Sequence, residues 1–248
     1  MKLNDAADTL SDLEEEQKEQ DPFWMPDPLT VELGIKLIPW AEAHILQDWI
    51  QRIRHNIGLE YGVHLPPVRL RDAADLSPGG YRILLHGDKV GQGKVMVNHL
   101  LAIDETGARP EIDGVQILDP IDGNIAYWIE HQNEQKAIEA GYLVVEAVTV
   151  LSTHIIKIVR DHIHHLLGVQ GTDNLLQALR KTHPAVVEAL TLARLDLVDT
   201  HNVLCGLLRD DVSIRDLPVV IATLADYGRN TKESKTLMCY VKRALRYE

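Results

Sequence analysis

Val31-Glu32-Leu33-Gly34-Ile35-Lys36-Leu37-Ile38-Pro39 decides how the rest of the chain is read. Val31, Leu33, Ile35 and Leu37 alternate with Glu32, Gly34 and Lys36, the period-two pattern of a half-buried strand, and Pro39 is placed to end it. The period then changes. Ile45, Leu46, Trp49, Ile50, Ile53 and Ile57 recur at three- and four-residue spacing, which predicts a helix packing one apolar stripe on a sheet while Arg52, Arg54 and Glu60 stay wet.

Working outward, Pro66 to Asp72 reads as a short strand. Tyr81 to Leu85 and Lys94 to Val97 read as a pair joined by a turn through Gly87, Gly91 and Gly93. Further strands are expected at Leu101 to Asp104, Val115 to Leu118, Ala126 to Ile129 and Leu143 to Val145, with a short helix near Asn133 to Ala140. From Val148 onward strand signals stop, and about six helical segments follow, separated at Gly168, Gly171, Pro184, Asp210 to Ser213 and Gly228 to Thr231. Ser213 with Asp216 three residues later predicts a capping box for the helix of Ile214, Leu217, Ile221 and Leu224, although Pro218, suited only to a first turn, can push that start to Asp216. Thr231 is expected to cap the last helix in the same way.

Composition excludes several function classes. The chain has 248 residues and a formal net charge of -12, with no basic stripe, so nucleic acid and anionic membrane surfaces are not expected partners. Residues 5 to 21 carry eight Asp/Glu against Lys18 alone, a net of -7, which leaves -12 + 7 = -5 for an ordinary globule. Asp21 to Pro28 then places Phe23, Trp24 and Met25 among three prolines, so residues 1–28 read as an acidic, flexible linker with an apolar end. Cys205 and Cys239 give neither a disulfide framework nor metal-ligand spacing and are expected to be small buried thiols in a reducing setting. No apolar run approaches the roughly 18 to 20 residues that span a bilayer, and the N-terminus lacks a signal-peptide pattern, so a soluble, non-exported chain is expected.

Several phrases fall in a familiar order: Val31 to Pro39, Ile53-Arg54, Leu65-Pro66-Pro67-Val68-Arg69-Leu70-Arg71-Asp72, Tyr81-Arg82-Ile83-Leu84, Gly93-Lys94-Val95-Met96, Asp119-Pro120, Ala126-Tyr127-Trp128-Ile129, Ala140 to Val145, Val150-Leu151-Ser152-Thr153-His154, Ser213 to Leu217 and Tyr240 to Arg246. In this order they resemble the FlhA/SctV family of type III secretion export-gate proteins, over about residues 29 to 246. The resemblance implies an α+β chain: a first α/β subdomain (29–97 plus 147–166), a small α/β subdomain inserted at 98–146, and an all-helical subdomain at 167–248. It implies a cytoplasmic docking platform, at the cytoplasmic face of the bacterial inner membrane, that forms a homo-oligomeric ring (nonameric in the family) through its helical and first subdomains. There it would bind secretion chaperones, export substrates and gatekeeper proteins. The family's N-terminal membrane domain and fourth α/β subdomain have no counterpart in the sequence, which is expected to be an expressed fragment or a naturally reduced relative. Membrane attachment would come only through that missing domain.

The family's partner-binding hollow maps onto Asp119, Asp122 and Thr153. Asp119 keeps the acidic position and Thr153 the threonine, but Asp122 replaces the aromatic that supplies apolar area at such a site. That replacement favours an injectisome-like or diverged partner over a flagellar one. Asp119 and Asp122 also fit a plain turn before Gly123. Phe23 and Trp24 would suit docking onto a neighbouring subunit, by analogy only.

Other chemistry is weaker. His154, His162, His164 and His165 fall in one predicted helix, with 162 and 165 on one face and Asp161 four residues before His165, a pattern zinc sites share with solvated helix faces. Gly87 to Lys94 superficially resembles a phosphate loop but leads into a strand and lacks Ser/Thr after Lys94. No catalytic signature surrounds Ser77, Ser152, Cys205 or Cys239. The expectation is a protein that is not an enzyme and holds no cofactor or metal. The rivals are a free-standing cytosolic adaptor without a ring and a metal-dependent hydrolase built on the His154 to His165 helix.

Overall fold

The computed structural model describes residues 26–107 and 109–246. Phe23 and Trp24 lie outside the described residues. The first sheet has the order β2-β1-β3-β4, built from β1 (Leu29–Leu33), β2 (Val68–Asp72), β3 (Gly80–Leu85) and β4 (Asp88–Lys94). β1 pairs parallel with β2 and antiparallel with β3. The parallel crossover carries α1 (Ile38–Glu42) and α2 (Ile45–Tyr61), whose buried stripe is Leu46, Ile50, Ile53, Ile57 and Tyr61.

The alternation at 31–37 outruns the strand. β1 stops at Leu33, and Gly34 then crosses the Ser77–Gly80 backbone so closely that a Cβ there would lie 2.2 Å from the Ser77 oxygen. Ile35 is consequently 71% exposed, and Pro39 sits in the first turn of α1, where its missing N–H costs nothing. The β3–β4 hairpin also differs from expectation. Its turn is His86-Gly87 alone, both at positive φ (50° and 88°), the geometry that suits tight hairpins. Gly91 and Gly93 are strand residues, and Lys94 ends β4 rather than beginning it.

The second sheet, order β6-β7-β5-β8, is antiparallel throughout, with β5 (Leu100–Ile103), β6 (Val115–Leu118), β7 (Ile125–Ile129) and β8 (Leu143–Glu146). Its inner face (Leu101, Ile103, Ala126, Trp128) joins the main core with Val31, Ile83, Leu151 and Leu204. Its outer face (Leu100, Ala102, Tyr127, Ile129) packs with Ala137 of α3 (Glu134–Glu139) and Tyr142 as a separate small core. β8 runs straight into α4 (Ala147–Asp161), which buries Val150, Leu151, His154, Ile155, Ile158 and Val159.

The helical run continues with α5 (Ile163–Leu166), α6 (Val169–Thr182), α7 (Pro184–Leu192), α8 (Leu197–Arg209), α9 (Leu217–Tyr227) and α10 (Ser234–Ala244). Gly171 lies inside α6 rather than at a break. The capping box is not at Ser213 but at Asp196, whose carboxylate accepts from Asp199 N–H at 2.7 Å while the Asp199 carboxylate accepts from Asp196 N–H at 3.2 Å. Ser213 is occupied elsewhere. Its Oγ donates to the Glu60 carbonyl (2.6 Å), Ile214 N–H donates to the Tyr61 carbonyl (3.0 Å) and Arg215 Nη1 donates to the Leu59 carbonyl (3.2 Å). Three carbonyls that α2 leaves without helical partners are thereby satisfied. Pro218 does move the start of α9, to an N-cap at Asp216, and α10 is preceded by Glu233 rather than capped by Thr231.

Candidate functional site

A short turn after β6 meets the middle of α4. Asp119 is 4% exposed; its Oδ2 accepts from Asp122 N–H (3.2 Å), and its carbonyl accepts from Gly123 N–H (2.9 Å), with Gly123 at φ 72°. Asp119 thus makes the turn that its sequence allows. Lys157 of α4 closes it, its ammonium donating to the Ile121 carbonyl and lying 3.2 Å from Asp122 Oδ1. Thr153, half-buried, stands one helical turn before Lys157 on the same face. The structure therefore brings Asp119, Asp122 and Thr153 to one place, with Lys157 as the connector.

Beneath this surface lies a buried aromatic pair. Tyr81 Oη and His154 Nδ1 are 2.8 Å apart, the rings edge to face with centroids 5.7 Å apart. The two strand glycines make room for it: a Cβ on Gly93 would lie 2.3 Å from Tyr81 Oη, and one on Gly91 would lie 3.1 Å from Ile158 and 3.6 Å from His154 Nε2. Burial pushes the Tyr81 hydroxyl pKa up, and the nearby Asp119 charge adds to that. Burial pushes His154 down, against a partly restoring pull from Asp119, with Lys157 lowering it further. The imidazole is neutral near pH 7. Asp119 Oδ1 is buried and has no hydrogen-bond partner among the described residues, and its charge acts on this pair.

The arrangement puts the Asp122 carboxylate, the Thr153 hydroxyl and the Lys157 ammonium outermost, with the Asp119 carboxylate and the Tyr81–His154 pair buried beneath them. Nothing in the sequence marks Lys157, Tyr81 or Gly93 as part of this site. The sequence signals them only through the i, i+4 spacing of Thr153 and Lys157 and the glycines of the hairpin, which by sequence read as its turn.

The four-histidine helix does not form as expected. α4 ends at Asp161, and His162 caps its end, with Nδ1 2.9 Å from the Ile158 carbonyl; across this break His162 and His165 still keep their rings together, with centroids 6.4 Å apart. His154 is committed to Tyr81, and among the described residues no group of three His, Cys, Asp or Glu side chains is placed to hold a metal ion. Cys205 is half-buried near the Leu167 carbonyl, its thiol pKa pushed up to about 11 by burial, whereas Cys239 is exposed on α10 and not a core thiol. No helix among the described residues is long and apolar enough to cross a membrane.

Comparisons with known proteins agree with this architecture. The model of the FHIPEP family matches residues 2–248. The "Flagellar biosynthesis protein FlhA" of Bacillus subtilis (strain 168) is 38% identical over 222 residues, 88% of this chain and 33% of that protein. The chain thus spans about a third of the length of that relative. Among solved structures, the Chlamydia pneumoniae CdsV protein superposes with a TM-score of 0.77 at 20% identity, over 92% of this chain and 67% of that one. The structure described as "nonameric EPEC SctV-C" gives 0.66 at 23% identity, over 89% and 66%. The flagellar name of a 38% identical relative runs against the lean drawn from Asp122. The Asp122 side chain is 64% exposed, and the turn draws on its N–H and on its 3.2 Å approach to Lys157, neither of which calls for an aromatic at that position. By sequence and by fold, the chain belongs to the FHIPEP family, the family of the FlhA/SctV export-gate proteins.

Proposed function

We propose that this chain is the cytoplasmic docking platform of a type III protein export gate, where chaperone–substrate complexes and gatekeeper proteins are received and sorted by binding alone. The observation that carries the reading is the Lys157-clamped turn, in which buried Asp119 holds the backbone while Asp122 and Thr153 stand outward where the second sheet meets α4. Rigid, prepositioned polar groups bind with little ordering cost, which suits a site that must take and release successive partners. Assembly into a ring is supported by the likeness in fold to a protein described as nonameric. Residues 29–97 with 147–166, residues 98–146 and residues 167–248 would act as three subdomains, with the hollow between the first two.

The test is a binding titration of the purified chain against a chaperone–substrate complex from the same secretion system, by calorimetry. Asp119→Ala and Thr153→Val are expected to weaken binding at least about tenfold, the scale of one or two lost polar contacts in an interface. Unchanged affinity in both variants would sink the assignment of the hollow. Light scattering across concentration tests the ring separately.

A further inference from the structure

Three of the four sheet edges carry charge: β2 holds Arg69, Arg71 and Asp72, β4 holds Asp88, Lys89 and Lys94, and β8 ends in Glu146. β6 differs. Its four residues, Val115-Gln116-Ile117-Leu118, contain no charge, proline or bulge, the devices that ordinarily keep an open edge from pairing. Val115 is 54% and Leu118 69% exposed, and among the described residues β6 pairs with β7 alone.

The hydrogen-bond phase identifies the groups that are open. Asp119 N–H donates to the Asn124 carbonyl at 2.8 Å, so by the two-residue alternation of an antiparallel ladder Ile117 and Val115 also turn their main-chain groups towards β7. Gln116 and Leu118 therefore turn theirs to the free edge. Beside that edge runs a groove of about 370 Å³, between Val115, Ile117 and Trp128 on one side and Val95, Met96 and Val97 on the other. Its polar lining includes Lys36, Lys94 and His99, and among the described residues that line it there is no carboxylate.

We propose that β6 and this groove form a second docking site, which takes an extended, acidic segment of a partner protein as a fifth strand of the second sheet. The main chain of the segment pairs with Gln116 and Leu118. Alternate apolar side chains enter the groove against Val95, Val97 and Ile117, and acidic residues at one end meet Lys36 and Lys94. Strand addition of this kind derives affinity from the main chain and selectivity from every second side chain, so it reads a pattern of residues and not one fixed sequence. The site is separate from the Asp119–Thr153 hollow and does not depend on that assignment.

The probe is a fluorescein-labelled heptapeptide that alternates valine with threonine and ends in two glutamates. Its control has the same sequence with alternate amides N-methylated. Saturable anisotropy below about 1 mM is expected for the first peptide, with at least tenfold weaker binding of the control. Amide hydrogen exchange at Gln116 and Leu118 should slow on peptide addition. Gln116→Pro removes an edge donor without touching the β6–β7 ladder and should weaken binding about tenfold while the circular dichroism spectrum is unchanged. Lys36→Glu with Lys94→Glu should weaken it too and should lower its salt dependence. No saturation, equal binding of the methylated peptide, or full binding by Gln116→Pro would overturn the proposal. So would a doubling of mass in light scattering that Gln116→Pro abolishes, because the edge would then belong to a second copy of this chain.

Discussion

Ser213 Oγ donates a 2.6 Å hydrogen bond to the carbonyl oxygen of Glu60, 153 residues earlier in the chain. With Ile214 and Arg215 it closes the C-terminal end of α2, so a segment that reads as the start of one helix serves as the end of another. Tyr61 Oη adds a 2.7 Å bond to Asp211 Oδ1 at the same junction. The segment before α9 is thereby tied to the end of α2, chiefly by bonds to its terminal carbonyls.

Loss of this tie should be measurable. Ser213→Ala is expected to cost about 1 kcal/mol, the net worth of one such bond. Gly62→Ala should cost more, because Gly62 has φ 75° and an added Cβ would lie 2.5 Å from Arg215 Cα. Urea midpoints at unchanged slope would check both. The Ser213 account fails if Ser213→Ala unfolds at the wild-type midpoint.

Gly93 is where Tyr81 comes to rest. Gly93→Ala places a methyl 2.3 Å from Tyr81 Oη and should drive the ring off His154, with a loss of about 1–3 kcal/mol, the usual cost of overpacking. Tyr81→Phe in the same background should recover part of the loss, since it removes the atom in closest contact. A double-mutant cycle by chemical denaturation measures that recovery.

Lys157→Gln should scarcely change stability, because Lys157 and Asp122 are both well exposed and such pairs contribute about 0–1 kcal/mol. Its effect should be local. The turn at 119–124 loses its clamp, and the Gly123 amide should exchange faster. The charge swap Lys157→Glu with Asp122→Lys should restore part of the protection.

Acid should weaken the protein before carboxylates titrate. His154, His164 and His201 are each pushed below the ordinary histidine value, first of all by burial, so the unfolded chain takes up these protons at a higher pH than the folded one. Stability then rises with pH in that window and is lost as pH falls through the ordinary imidazole value of about 6.5. Denaturation midpoints at pH 7.5 and pH 5.5 should show the drop, and His154→Gln should make it smaller. An equal drop in the variant would remove His154 from the account.

Periodicity in the sequence placed most elements, because strand and helix patterns record which side chains face a core: Ala126 to Ile129 and the stripe of α2 appear where they were expected. The errors share a cause. Gly34, Gly91 and Gly93 carry no periodic signal, and each has its role set by what crosses it: the Ser77–Gly80 backbone, Ile158 with His154, and Tyr81. Ser213 reads as a helix-terminus residue and His162 as a helix-interior one, but Ser213 serves the end of α2 and His162 the end of α4, which depends on a neighbour distant in sequence or on where the helix ends.

The sequence by itself determined the α+β composition, the change to helices after β8, the acidic N-terminal stretch and the family, since all of these are written in local residue types and their order. Tertiary structure alone decided that Lys157 joins Asp122 to the Thr153 face, that Tyr81 and His154 lie beneath, and that the uncharged edge of β6 stands open beside a basic-rimmed groove. Those relationships join residues tens of positions apart, and no local pattern encodes a distance in space between them.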